Sequence, residues 1–257
     1  YNFISPVNGT VSEINRGDRR SFLSMIIEKD NDENSFQIDT DFVKSRENIL
    51  NFLNVSGSLS LFRTRPFSKT PTVGSHPNQI FISLIDSNPL SFDPLLVIED
   101  NLNEFNKAIE YLSHIPENSI QIGITNACNL NLFESEKINY HKFSGPHPVG
   151  LVGTQIHKIS PANLKKPIWT IGYQEVIKIG KTLLSGSLHN EKYISFAGSQ
   201  VFKPEILLTN YGASTDELTA GNLKDDENRV ISGSVLCGHS CEGVEAFLSN
   251  FSNQLTV

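Results

Sequence analysis

The sequence predicts an α/β domain followed by a small α+β module. Three observations carry that expectation. Ile80-Phe81-Ile82-Ser83-Leu84-Ile85 is an unbroken apolar run, as in a strand buried on both faces of a parallel sheet. Phe105, Ala108, Ile109 and Leu112 recur at i, i+3, i+4 and i+7, which marks an amphipathic helix, and residues 119–125 read as the next strand. Strand, helix, strand with short links is a parallel crossover unit. Further on, residues 193–196, 206–209 and 230–236 read as strands, with the capping box Ser214-Thr215-Asp216-Glu217 between the last two. Gly186, His189 and Asn190 break the pattern and place a domain boundary near residues 188–192.

Taken from the start, residues 9–30 read as two strands joined by a turn at Arg16-Gly17-Asp18. A pair of strands alone is marginal in water, so this hairpin needs a partner. The first and last residues carry no start or stop signal, and the sequence reads as a fragment of something longer. Asp30-Asn31-Asp32-Glu33-Asn34 has the look of a calcium loop, but position six is Ser35 rather than glycine and position twelve is Asp41 rather than glutamate. A solvated acidic loop is the better reading. Ser45 caps a short helix whose Ile49, Leu50, Phe52 and Leu53 face inward, ended by Gly57.

Phe62-Arg63-Thr64-Arg65-Pro66-Phe67-Ser68-Lys69-Thr70-Pro71 sets three cations and two aromatics on a proline-bounded loop. Two readings stay open. One is a solvated basic loop. The other is a site for an anionic or aromatic ligand, because guanidinium donates in a fork and stacks on rings. A short strand at residues 140–143 leads into Phe143-Ser144-Gly145-Pro146-His147-Pro148-Val149-Gly150-Leu151-Val152-Gly153-Thr154-Gln155-Ile156-His157. Its prolines stiffen a corner, and Gly150 and Gly153 permit close backbone approach. It is either a plain strand-to-helix connection or a ligand loop at the carboxyl edge of the sheet. Residues 169–184 read as one longer helix, with Val176, Ile177, Ile179, Leu183 and Leu184 buried. Its Gly180-Lys181-Thr182 is no phosphate loop, since Glu175 stands where the first glycine belongs.

Several classes are excluded. The net charge of −7 and pI near 5.5 argue against a nucleic-acid partner. No run approaches the ~18 apolar residues of a membrane span. Three cysteines form no framework, so a reducing compartment is expected. Cys237-Gly238-His239-Ser240-Cys241 with the distant Cys128 completes no zinc or iron–sulfur set. No Gly-x-Ser-x-Gly and no Gly-x-Gly-x-x-Gly occurs. His147 and His157 have turn and packing roles rather than a shared metal.

Taken together, several stretches resemble the A-type subunit of the sodium-translocating NADH:quinone reductase. They are Ser5-Pro6-Val7-Asn8-Gly9-Thr10-Val11, Asn15-Arg16-Gly17, the arginine loop from Arg63 to Lys69, Asp86-Ser87-Asn88-Pro89-Leu90, Gly145 to His157, Trp169-Thr170-Ile171-Gly172-Tyr173-Gln174 and Ile231-Ser232-Gly233-Ser234-Val235-Leu236. The resemblance implies a fold. Residues 1–35 would be the tail of a barrel-sandwich, lipoyl-like domain, residues 36–190 a Rossmann-like α/β domain and residues 191–257 a β-grasp-like module. The same plan occurs in the flavin-binding subunit of respiratory complex I and in the C-type subunit of the Rnf complex. Bulky Arg65, Pro66 and Phe67 would obstruct a flavin phosphate where those relatives use glycines.

The resemblance further implies a bacterial, peripheral subunit on the cytoplasmic face of the inner membrane. It would touch the membrane only through the other subunits of the complex, would be associated with quinone reduction and would hold no cofactor itself. Quinone would be the complex's substrate, with NAD, FAD, FMN and iron–sulfur in other subunits. The quinone-binding candidates are Arg63, Arg65, Phe67, Ser68, Lys69, His147 and Gly150, on the chemical ground that cations stabilise a semiquinone or quinol anion and an aromatic ring packs on the quinone; no catalytic residue and no metal are expected. The alternative is a scaffold whose same loops dock the membrane subunits.

Overall fold

The computed structural model describes residues 2–30, 36–224 and 227–257. The chain divides into two compact units. One comprises Tyr1–Ile4, Phe36–Ser87 and Asp93–His189, and the other Ser5–Ser35, Asn88–Phe92 and Asn190–Val257. The acidic stretch 31–35 lies outside the described residues.

The first unit is built on a five-stranded sheet. Its strands are β3 (Arg63–Arg65), β4 (Gln79–Ser83), β5 (Ser119–Ile124), β6 (Ile138–Lys142) and β7 (Ile168–Gly172), in the order β3-β7-β4-β5-β6. The last four run parallel, and β3 pairs antiparallel to β7 at one edge. Ile80, Phe81 and Ile82 are all essentially inaccessible, so β4 is covered on both faces as its sequence requires. Phe81 packs with Ile168 and with Ile156 of helix α4 (Val152–Ile159).

Helix α1 (Arg46–Val55) starts where Ser45 accepts the Asn48 amide hydrogen at 3.2 Å. It stops before Gly57, which takes φ +68. Helix α2 (Pro94–Asp100) is a short helix absent from the elements read in the sequence, although Asp93 as cap and Pro94 in the first turn are its start signal. Helix α3 (Leu102–Leu112) packs against α5 (Tyr173–Ser185). The approach is close: a methyl group on Gly180 would overlap the carbonyl oxygen of Glu104.

One expected element is corrected here. Residues 169–184 are not a single helix. Ile168-Trp169-Thr170-Ile171 is a strand, and α5 begins only after Gly172. The β-branched and aromatic run and the following glycine carry that break.

Lys44 donates to the Glu110 carboxylate on α3, and Lys107 lies 3.5 Å from it. The Lys44 hydrogen bond, first among the causes, holds the Glu110 carboxyl below its ordinary value of 4.5. A depressed carboxylate stabilises the fold above that value, and the contribution is lost as pH falls through the folded pKa. Solvent reaches both side chains, so the contribution is under about 1 kcal/mol. Glu110→Gln is expected to lower the urea midpoint slightly at about pH 7 and by less at about pH 3, below the ordinary carboxylate range. An equal loss at both pH values would show that the ion pair is not its source.

The second unit holds another five-stranded sheet. Its strands are β8 (Glu191–Ala197), β9 (Glu205–Asn210), β10 (Ile231–Ser232), β11 (His239–Ser240) and β12 (Gln254–Thr256), in the order β11-β10-β12-β8-β9. Ile194, Phe196, Val201, Leu248 and Leu255 form its core. Helix α6 (Thr215–Thr219) is capped by Ser214, whose hydroxyl accepts the Glu217 amide hydrogen at 3.4 Å.

Residues 230–236 are a second correction. Only Ile231–Ser232 is strand, because Gly233 turns at φ +110 against Gly238 and leaves Val235 and Leu236 exposed. Residues 254–256, which read as an end without a signal, form an inner strand parallel to β8 and antiparallel to β10. β1 (Gly9–Arg16) and β2 (Phe22–Lys29) form the expected antiparallel hairpin. Its connection is longer than a tight turn and includes Arg19 and Arg20 at positive φ.

Candidate functional site

The arginine stretch is partly strand rather than loop. Arg63 and Arg65 lie on β3, paired with Thr170 and Ile168 of β7, and the turn beyond closes where the Thr64 amide donates to Lys69 O at 2.7 Å. The peptide bond between Arg65 and Pro66 is cis, and Ser68 takes φ +55. The two guanidiniums differ. Nη1 of Arg63 reaches Ser60 O at 3.0 Å, Phe62 O at 2.9 Å and Thr70 Oγ1 at 3.1 Å, so this side chain ties the turn to the chain before it. Arg65 is half-buried, and its Nε is shielded from solvent with no hydrogen-bond partner. Burial pushes both pKa values down, yet guanidinium keeps its charge. Phe67, 64% exposed, and the exposed Ser68 and Lys69 stand at the tip. Trp169, buried beside β3, packs on Phe62 with ring centroids 5.6 Å apart.

His147 and Gly150 lie elsewhere. Arg65 faces Ile168, the first residue of β7, whereas Gly172 at the far end of β7 faces Ser83. Ser83 Oγ donates to Gly150 O at 3.0 Å. Four strand residues, about 13 Å along the sheet, therefore separate the two levels. The structure brings Arg63, Arg65, Phe67, Ser68 and Lys69 together at the amino end of the parallel strands. It leaves His147 and Gly150 at the carboxyl end, where open α/β sheets take ligands.

That carboxyl end is filled by the unit's own side chains. Gly172, Ser83 and Gly123 stand side by side on β7, β4 and β5. A methyl group on Gly123 would overlap the Gln155 side chain, and one on Gly172 would overlap the Glu175 carboxylate. Gln155 is fully buried. Its Nε2 donates to Ser83 Oγ at 2.8 Å and to Val149 O at 3.2 Å, and its Oε1 has no partner. Gly150 is glycine because a methyl group there would sit 2.7 Å from Ser87 N and 2.8 Å from Ile85 O. Its amide donates to Ser87 Oγ at 2.9 Å. Ser83, Ser87 and Gln155 are not among the predicted site residues: Ser87 and Gln155 lie in stretches that carry the resemblance and Ser83 in none, and only the fold brings 83, 87, 150 and 155 together.

Among the described residues no group of three metal-ligating side chains occurs, and His157 is exposed on α4. Cys237 is exposed, Cys128 is half-buried, and burial pushes the Cys241 thiol pKa up, away from a reactive thiolate. No described helix is long and apolar enough to cross a membrane.

The geometry defines a mixed α/β protein of two units with a self-filled carboxyl edge; among the described residues the Nε atoms of Arg65, on the arginine turn, and of Arg46, on α1, are shielded and lack a hydrogen-bond partner. Residues 44–188 match the family described as NqrA second alpha/beta domain, and residues 193–243 the family described as NQRA C-terminal domain. The chain belongs to the NqrA family. It is 41% identical over 261 residues to the A subunit of the Na(+)-translocating NADH-quinone reductase of Serratia proteamaculans, covering 99% of this chain and 58% of that one. It is 39% identical over 259 residues to the protein of the same name from Yersinia pestis, again covering 99% and 58%. The chain thus spans little more than half the length of these curated relatives. Among solved structures, NAD+-reducing NiFe-hydrogenase in the H2-reduced state matches with TM-score 0.56 and 12% identity, covering 85% of this chain and 48% of that one. That likeness concerns the fold alone.

Proposed function

We propose that this chain is the central part of the A-type subunit in a sodium-translocating NADH:quinone reductase and that its arginine turn contributes to quinone binding. The carrying observation is the half-buried Arg65, whose shielded Nε has no hydrogen-bond partner beside an exposed Phe67 and Lys69. An unsatisfied buried donor costs about 1–3 kcal/mol, and an arriving carbonyl or semiquinone oxygen would offset that cost. Phe67 offers a ring face to the quinone. On this reading residues 36–190 form a Rossmann-like domain, 191–257 a β-grasp-like module and 1–35 the tail of a barrel-sandwich domain. The subunit is peripheral, on the cytoplasmic face, and holds no cofactor. NAD, FAD, FMN and iron–sulfur belong to its partner subunits, which also carry the contact with the membrane.

The test is titration of a short-chain quinone into the purified chain, followed by Trp169 emission and amide shifts. Saturable shifts at Arg63, Arg65 and Lys69, abolished by Arg65→Ala, are expected. Arg65→Ala that leaves quinone affinity unchanged, here and in the assembled complex, refutes the assignment. A second reading is docking of partner subunits by the same turn, favoured by the exposure of Phe67 and Lys69 at its tip. It requires that Arg65→Ala weaken co-purification while quinone affinity stays normal.

A further inference from the structure

We propose that the amino end of the first unit's sheet is a docking face for anionic lipid headgroups, formed by two adjacent turns. The contact is direct and adds to the one carried by the partner subunits. The arginine turn is one of the two, and residues 163–166, which lead into β7, are the other. Both lie just beyond the Arg65–Ile168 pair that ends the β3–β7 ladder. The second turn closes where the Lys166 amide donates to Asn163 O at 3.2 Å. Asn163 Oδ1 also accepts the amide hydrogens of Lys165 at 2.9 Å and Lys166 at 3.1 Å. Leu164 is thereby held at the tip, 77% exposed, as Phe67 is at the tip of the neighbouring turn. Each apolar tip is flanked by cations, Arg65 and Lys69 on one turn, Lys165 and Lys166 on the other. The three lysines are exposed, and none of the four cations has a salt bridge among the described residues.

The chain as a whole is acidic, with 28 Asp and Glu against 21 Lys and Arg. Yet residues 48–85 and 137–174, which supply both turns, contain no Asp or Glu. Glu117, whose amide donates to Pro77 O, is the acid set beside this end of the sheet, and its carboxylate is held by His76 at 3.2 Å and Asn78 at 3.3 Å. Glu134 and Glu136 precede β6, three strands and about 14 Å from β7. A positive face on a negative body turns that face towards an anionic surface and the rest away from it. Lipid fits better than an acidic protein. Carboxylates of a protein would answer the lysines, but each exposed tip would also need its own pocket. A headgroup layer takes lysine charge and apolar tip together, and Phe and Leu beside basic residues are the composition of segments that lie in that layer.

The experiment is co-sedimentation of the chain with vesicles of phosphatidylcholine, alone or with about 30% phosphatidylglycerol, at about 0.1 M salt. Binding is expected to the anionic vesicles only, and about 0.5 M salt is expected to release most of it. Each cation near an anionic surface gives about a fivefold gain, so Lys165→Ala with Lys166→Ala is expected to weaken binding roughly 25-fold. Leu164→Ser is expected to weaken it several-fold at either salt concentration. Lys142→Ala with Lys158→Ala removes the same charge elsewhere, at the carboxyl end of β6 and beside Phe143, and is expected to leave binding nearly unchanged. The unfolding midpoint read at Trp169 checks that each variant is folded. Failure to bind anionic vesicles overturns the inference, and so do equal losses in the two double variants. Polyglutamate bound as tightly as the anionic vesicles, with Leu164→Ser silent, overturns it in favour of an acidic protein partner. Residues 164–166 are not quinone candidates, so vesicle binding and quinone titration can fail independently.

Discussion

Gly180→Ala is expected to destabilise the first unit by about 2 kcal/mol, although alanine is the better helix former by about 1 kcal/mol. The added methyl would overlap the carbonyl oxygen of Glu104 on α3. That atom is backbone, so relief requires α5 and α3 to separate, and overpacking of this kind costs about 1–3 kcal/mol or more. The midpoint should fall by about 4–8 °C for a unit of this size. Trp169, the chain's single tryptophan, lies in this unit and reports its unfolding directly. An unchanged or raised midpoint would show that the helices are not held at this distance.

Arg63→Ala and Arg65→Met should differ sharply despite similar chemistry. Removing Arg63 takes donors from Ser60 O, Phe62 O and Thr70 Oγ1. Leaving such acceptors unsatisfied costs about 2–3 kcal/mol. Arg65→Met instead removes a shielded donor that has no partner and keeps an apolar stem of similar length, so no loss is expected, and relief of the unmet donor is expected to raise stability by up to about 1–3 kcal/mol. Urea midpoints read at Trp169 compare the two. Equal losses would mean that Arg65 is structural after all and would remove the main support for a ligand there.

Much of the fold is legible because its signals are local. The apolar run of β4 and the 3.6-residue period of α3 need only burial to be interpreted, and Ser45 and Ser214 cap the helices that follow them. Residues 168–172 are harder. Their apolar content suits either a buried strand or the first turns of the buried helix that follows, and periodicity cannot separate the two. β12 escapes a sequence reading because three residues are too few for a pattern, and its place between β8 and β10 depends on partners far along the chain.

The candidate site divides in the same way. Sequence alone marks the arginine turn and the Gly-Pro-His-Pro corner, through residue types unusual in combination, and through them the family. It cannot show that these stretches lie at opposite ends of one sheet. That follows from β3 running antiparallel to β7, and strand direction is set by pairing rather than by composition. Nor can it separate Arg63, which binds its own backbone, from Arg65, which lacks a partner at Nε. That difference is decided by which acceptors the tertiary fold brings within 3 Å of each guanidinium.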